Sequence, residues 1–201
     1  MIDPFDNQVP FLPGFLDPVL DSQYTFRRVL KAMAHPARQI SLEIEMQVPP
    51  PLYRTTGAIC LTLLDLRTPV WMDPAERGEV APWLRFHCGC PLVPFPSNAR
   101  FGLIFRGEAV PPLHQFNLGE DEFPEGSATL IIQVKGFTSG IGKIFRGPGI
   151  KTTERLAVHG LSDEFWNFWG LNHRLYPLGV DVLFASDSAV VGLPRTIQVT
   201  E

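Results

Sequence analysis

The segment Ala128–Val134 constrains the fold more than any other part of the chain, because apart from Gln133 it is an unbroken apolar and β-branched run. A strand with no polar face has no side to offer to water, so it belongs inside a sheet covered on both faces. Gly179–Ala185 reads the same way, and Thr68–Met72 and Ala99–Phe105 read as further strands. Helical spacing lies between them. Ser22 can open a helix in which Phe26, Val29, Leu30 and Met33 follow at i, i+3, i+4 and i+7, and Pro36 ends it. Thr56–Leu66 is a second helix, with Thr55 or Thr56 as its cap, and Glu79–His87 a third, stopped by Gly89 and Pro91. Ser162–Arg174 is a fourth, with Ser162 as cap and Asp163 and Glu164 where the helix dipole favours them. Strands interleaved with helices predict the α/β class.

The remaining segments refine this outline. Gln39–Glu45 alternates apolar and polar residues, which predicts a half-buried strand, and Pro49, Pro50 and Pro51 then form a stiff break. Gly142–Arg146 and Thr152–Val158 flank Gly147-Pro148-Gly149, a turn signal that predicts a hairpin and so a mixed central sheet. Ile197–Val199 is a last short strand, and Ala109–Leu118 fits neither period. A chain of 201 residues is expected to form a single domain over 1–201. Within it, residues 1–20 form a Pro-rich N-terminal arm: Pro4, Pro10, Pro13 and Pro18 argue against a helix, while Phe5, Phe11, Phe15 and Leu16 predict that it lies against a surface.

Charge and composition narrow the function classes. Net charge is −4, there are four lysines, and no basic cluster exceeds Arg27–Arg28, so nucleic acid and membrane surfaces are disfavoured as partners. Met1–Pro10 lacks the basic and apolar regions of a secretory signal, and no apolar run approaches the length of a bilayer span. With an odd number of cysteines suited to a reducing compartment, the expectation is a cytoplasmic protein with free thiols.

Three groupings invite chemical readings. His87-Cys88-Gly89-Cys90 could hold a soft metal, but a structural zinc site needs four ligands, and Cys60 is expected to be remote within an apolar helix. Gly140-Ile141-Gly142-Lys143 fails the phosphate-loop pattern, since Phe137 stands where glycine is required and Ile144 follows the lysine; it reads as a loop before the hairpin. Arg27, Arg28, Arg85 and Arg195, with His87, are the candidate anion-binding groups, because guanidinium suits phosphate and phosphonate through paired hydrogen bonds. Phe165, Trp166, Phe168 and Trp169 carry more apolar surface than one helix face buries alone, so they either pack on the sheet or in part meet another chain.

Several segments, in order, resemble the PhnH family of phosphonate-metabolism proteins. They are Phe26–Met33 with Pro36, Leu61–Asp65, Thr68–Trp71, Leu84–His87, Gly126–Val134, Gly147–Ile150, Tyr176–Asp181 and Leu193–Thr196. Ala37 departs from the glycine usual after that proline. The resemblance implies a three-layer α/β/α sandwich with a central mixed sheet, similar to pyridoxal-phosphate-dependent transferases but without the cofactor. It also implies a homodimer in isolation and assembly with the G, I and J subunits of the carbon–phosphorus lyase core complex. That complex carries alkylphosphonates and ATP towards ribose 1-phosphonate 5-triphosphate, with radical chemistry in the J subunit and the nucleosidase step in the I subunit.

The residues agree with that division. Three cysteines do not make a cluster-ligand set, and none of Lys31, Lys135, Lys143 and Lys151 stands in a recognisable Schiff-base context. No cofactor is expected, and the chain is read as a subunit with too little reactive equipment to act alone in a transferase or lyase reaction. The rival readings are an enzyme handling phosphoryl groups or nucleotides, and a phosphonate- or nucleotide-binding protein with its own arginine-lined site.

Overall fold

The apolar runs pair with one another as their lack of a polar face requires. The computed structural model describes residues 12–201; the predicted contact of Met1–Phe11 with a surface lies outside them. The helices are α1 (Pro18–Ala34), α2 (Arg54–Leu63), α3 (Val80–Cys88) and α4 (Asp163–Arg174). The strands are β1 (Ile40–Ser41), β2 (Val70–Met72), β3 (Phe101–Ile104), β4 (Thr129–Gln133), β5 (Gly136–Arg146), β6 (Glu154–His159), β7 (Asp181–Ala185), β8 (Ala189–Leu193) and β9 (Gln198–Thr200).

A six-stranded sheet has the order β1-β8-β7-β4-β3-β2. Strands β2, β3, β4 and β7 are parallel, with Leu130 of β4 beside Gly102 of β3 and Val182 of β7. The class is therefore mixed α/β with a mixed central sheet. The mixing does not come from the predicted hairpin, however. It comes from β8, which turns back antiparallel on β7 after Ser186–Ser188, and from β1, antiparallel to β8. The hairpin, β5 and β6, forms with β9 a separate three-stranded antiparallel sheet.

Alternation along the central strands splits the core in two. Ile131, Leu183 and Val190 pack with Val29 and Ala32 of α1, Ile59 of α2 and Trp83 and Leu84 of α3. Leu130, Ile132, Val182 and Phe184 face the other way, onto Phe165 and Trp169 of α4 and onto Phe145 and Leu156 of the second sheet. The aromatic stretch is thus absorbed within the chain. Phe165 and Trp169 are buried, Trp166 and Phe168 lie half-buried against the same core, and the Trp169 indole donates to Ile197 O at 2.9 Å. Full burial of side chains of this size contributes about 1.5–3 kcal/mol each.

Helix α1 departs from its prediction in both its cap and its buried face. Asp17, not Ser22, is the cap: its carboxylate accepts from Val19 N and Leu20 N, and Pro18 at the first position lacks an N–H that would otherwise go unused. The helix therefore takes in the last three residues of the predicted arm. The buried stripe is Thr25, Val29 and Ala32, whereas Phe26 and Leu30 are 49% and 57% exposed. Small residues win that face because the helix must lie close to β8, where a Cβ on Gly192 would meet Ala32 O at 2.5 Å. Just beyond, Ala37 holds a left-handed φ of 62°, the conformation that explains why glycine suits this position.

Helix α2 starts at Arg54 and ends at Leu63, with Tyr53 as its cap residue and no side-chain cap hydrogen bond. Thr55 and Thr56 lie inside it, fully buried, and their hydroxyls have no partner. The cap is replaced by a tertiary contact, since Tyr53 N donates to Gln133 Oε1 at 2.6 Å. We expect Thr56→Val, which keeps shape and removes a buried unpaired hydroxyl, to raise folding stability by about 1 kcal/mol in urea denaturation. The predicted strand Gln39–Glu45 pairs only over Ile40–Ser41. Burial still alternates through Glu45, and Leu42 N reaches Ser188 O at 2.8 Å. Gly140-Ile141-Gly142 is not a loop before the hairpin but a bulge within β5, where Ser139 and Lys143 both stand opposite Leu156.

Candidate functional site

The predicted anion-binding residues do not converge. Arg195 follows β8 and lies at the edge where β4 and β7 begin. Its Nε donates to Asp181 Oδ1 at 3.2 Å and one terminal nitrogen to Asp181 Oδ2 at 2.5 Å, a two-point pairing. That same nitrogen donates to Ser127 Oγ, and the other donates to Pro124 O at 2.9 Å and Pro177 O at 3.3 Å. Guanidinium has five N–H groups, and all are spent. With its side chain 11% exposed, Arg195 is a structural clamp and not a free anion ligand.

Arg27 and Arg28 sit on α1, where the Arg28 guanidinium lies over the Tyr24 ring at 4.8 Å. Arg85 and His87 sit in the last turn of α3, with Arg85 exposed. His87 is held in place: its Nε2 is 3.0 Å from Leu12 O, which also accepts from Trp83 Nε1 at 3.0 Å. Its ring is 4.8 Å from that of Trp83 and 4.9 Å from Phe86, and a Cβ on Gly14 would meet its Nδ1 at 3.2 Å. Trp83 and His87 thus share one carbonyl and anchor the chain where it enters α1.

In open α/β sheets ligands settle at the carboxyl ends of the strands. Here that edge is closed at its centre by Gln133, 2% exposed, whose Oε1 accepts from Tyr53 N and whose Nε2 donates to Pro51 O at 2.9 Å and Phe105 O at 3.4 Å. Beside it, past the end of β7, an open cleft of about 480 Å³ is lined by Glu43, Ile44, Glu45, Arg54, Asp187 and Ser188. Arg54 pairs with Asp187 at 2.9 Å, and that hydrogen bond holds the Asp187 carboxyl below its usual range. Three carboxylates against one guanidinium leave the cleft negative, which opposes an anionic ligand. Past β2 and β3, a shallower recess between Trp71, Asp73, Glu76 and Arg106 is crossed by the Arg106–Glu76 ion pair at 2.6 Å.

The cysteines correct the expectation that Cys60 is remote. Packing of α2 against α3 puts Cys88 Sγ 3.7 Å from Cys60 O. Burial pushes the Cys60 thiol well up. Among the described residues, no group of three or more His, Cys, Asp or Glu could hold a metal ion, and no helix is long and apolar enough to cross a membrane.

Asp181, Ser127 and Gln133 are the residues that sequence reasoning missed as polar partners. The signal for Gln133 was present as the lone polar side chain in an otherwise apolar and β-branched run. For the Arg195 clamp no local signal exists, because its acceptors lie 14 to 71 positions away.

Comparison with known proteins gives concordant matches. Residues 13–200 match the family model described as bacterial phosphonate metabolism protein (PhnH). The chain is 39% identical over 184 residues to the alpha-D-ribose 1-methylphosphonate 5-triphosphate synthase subunit PhnH of Rhizobium meliloti (strain 1021), covering 91% of this chain and 92% of that protein. It is 35% identical over 82 residues to the putative C-P lyase subunit protein HtxG of Stutzerimonas stutzeri, 41% of this chain and 42% of that one.

Proposed function

Because this chain belongs to the bacterial phosphonate metabolism protein (PhnH) family, we propose that it is a subunit of a ribose 1-phosphonate 5-triphosphate synthase and acts in phosphonate breakdown mainly by assembling with other subunits. The observation that carries this is 39% identity, over 91% of the chain, to a protein named as a subunit of alpha-D-ribose 1-methylphosphonate 5-triphosphate synthase. The surface supports it. On α1, Val19, Leu20, Phe26 and Leu30 are 49–75% exposed and fall within about a 120° arc opposite the buried stripe, with Arg27 among them. A monomer gains nothing from such a row, whereas an interface uses it.

The partners proposed are the G, I and J subunits of the carbon–phosphorus lyase core, with a homodimer formed when the chain is alone. The setting proposed is the cytoplasm, and the architecture a single domain of three layers similar to pyridoxal-phosphate-dependent transferases. The rival reading, an arginine-lined site for a phosphonate or nucleotide, would have to be built from Arg27, Arg28 and Arg85, since Arg195 is committed inside the fold and His87 to Leu12. Co-expression with G, I and J homologues, followed by size-exclusion chromatography with light scattering, is expected to elute all four together. Elution of this chain alone from an otherwise intact complex would reject assembly. Calorimetric binding of ATP or an alkylphosphonate to the isolated chain, abolished by Arg85→Ala, would favour the rival.

A further inference from the structure

The Cys-Gly-Cys segment at the end of α3 plays no part in the function proposed above, and its local geometry is specific. Cys88 is the last residue of the helix, and Gly89, the cap, is left-handed at φ 64° and ψ 9°. Its N–H donates to Arg85 O at 3.1 Å, and the left-handed φ is what favours glycine in this turn. A left-handed residue between two others brings their Cα atoms to about 5.5 Å, within the most populated separation for disulfides. Cys88 is half-buried, whereas Cys90 is 1% exposed. The S–H of Cys88 donates to the Cys60 carbonyl at 3.7 Å. Cys60 itself is fully buried within α2.

We propose that Cys88 and Cys90 form a reversible intrachain disulfide, making the end of α3 an oxidation-responsive modification site. The two thiols have different roles. Interaction with the Cys88 thiol first, and the Arg85 cation after it, hold the Cys90 thiol below the usual range, while the same interaction and then burial push the Cys88 thiol up. The oxidant is hydrogen peroxide, small enough to follow water to a nearly covered sulfur. The Cys90 thiolate attacks one peroxide oxygen; an S–O bond forms, the O–O bond breaks, and the leaving hydroxide takes up a proton to become water. The Cys88 sulfur, losing its proton, then attacks the sulfenic sulfur; the S–S bond forms, the S–O bond breaks, and a second water leaves. Two thiols and one peroxide give one disulfide and two waters, with the thiol pair oxidised by two electrons. Dithiothreitol reverses the change.

The test uses the full chain, treated with dilute hydrogen peroxide, alkylated, and read by intact mass and peptide mapping. The expected product has lost two hydrogen atoms, with Cys88 joined to Cys90, and Cys60 alkylates only after unfolding. Because adjacent thiols also oxidise in a loose chain, the disulfide is also reduced with dithiothreitol in guanidinium chloride; the native disulfide is expected to be held about tenfold more strongly, because the Gly89 turn fixes the two Cα atoms at bonding separation. Cys88→Ser replaces only a half-buried thiol and is expected to leave Cys90 as a sulfenic acid, trapped by dimedone when the oxidised chain is unfolded in its presence, with no disulfide. A native disulfide no more resistant to dithiothreitol than the unfolded one, a disulfide that includes Cys60, or sulfinic acid at Cys90 without any disulfide in the unmodified sequence would each overturn the proposal.

Discussion

Replacing Arg195 with methionine is expected to lower folding stability by about 3 kcal/mol, seen as a reduced urea midpoint at unchanged slope. Methionine retains much of the aliphatic volume, so the loss isolates the guanidinium. Among the described residues, its removal leaves Asp181 paired only with Arg195 N at 2.8 Å, leaves Ser127 Oγ and Pro177 O without their donor, and leaves Pro124 O with Ser127 N alone at 3.3 Å. The Arg195 and Asp181 side chains are 11% and 20% exposed, so water restores little of this. Breaking one side of a covered ion pair costs more than the pair contributes, because the remaining charge stays behind. Asp181→Asn in the same background should therefore recover part of the loss, and a double-mutant cycle measures the coupling. Arg195→Lys should rescue little, since an ammonium cannot span the carboxylate and three other acceptors at once. A drop below about 1 kcal/mol for Arg195→Met would mean that the clamp does not hold the edge of the sheet together.

The parts of this fold legible from sequence are those set by burial alone. The apolar runs at β4 and β7 could only be interior strands, and they are the centre of the sheet. Strand β8 went unread although Ala189–Leu193 is wholly buried; Gly192 weakens its strand signal, and that glycine is needed so that Ala32 of α1 can approach. The apolar period of α1 was visible, but two stripes satisfy it. Only the tertiary demand for small residues beside β8 decides that Thr25, Val29 and Ala32 go inward while Phe26 and Leu30 go out. The candidate site was less legible for the same reason. Arginine chemistry can be read from one position, whereas whether the guanidinium is spent depends on carbonyls from segments that only folding brings together. The neighbourhood of Cys60 and Cys88 likewise exists only through the packing of α2 on α3.

Gln133→Leu carries the same logic to the opposite edge of the sheet, where the expected loss is again about 3 kcal/mol. Leucine fits the volume and would complete the apolar run, so hydrophobic pattern alone would favour the change. The hydrogen bonds of the folded chain oppose it. The Gln133 amide supplies the acceptor for Tyr53 N at 2.6 Å and donors for Pro51 O and Phe105 O. These are backbone groups from the segment entering α2 and from the end of β3, and each left unpaired costs about 1–3 kcal/mol. Amide exchange at Tyr53 should accelerate beyond the global change, because its N–H loses its only acceptor among the described residues. Gln133→Glu separates the acceptor from the donor role. An ionised carboxylate still accepts from Tyr53 N but faces two carbonyl oxygens, whereas the protonated acid can accept and donate once. The acid form is thus the one the fold favours, and the variant's carboxyl is expected to titrate above its ordinary value. Stability of Gln133→Glu should then be highest at acid pH and fall as pH rises through that elevated midpoint. A stability of this variant that instead rises with pH, relative to the unmodified chain, would show that Gln133 serves Tyr53 alone and does not tie the three segments together.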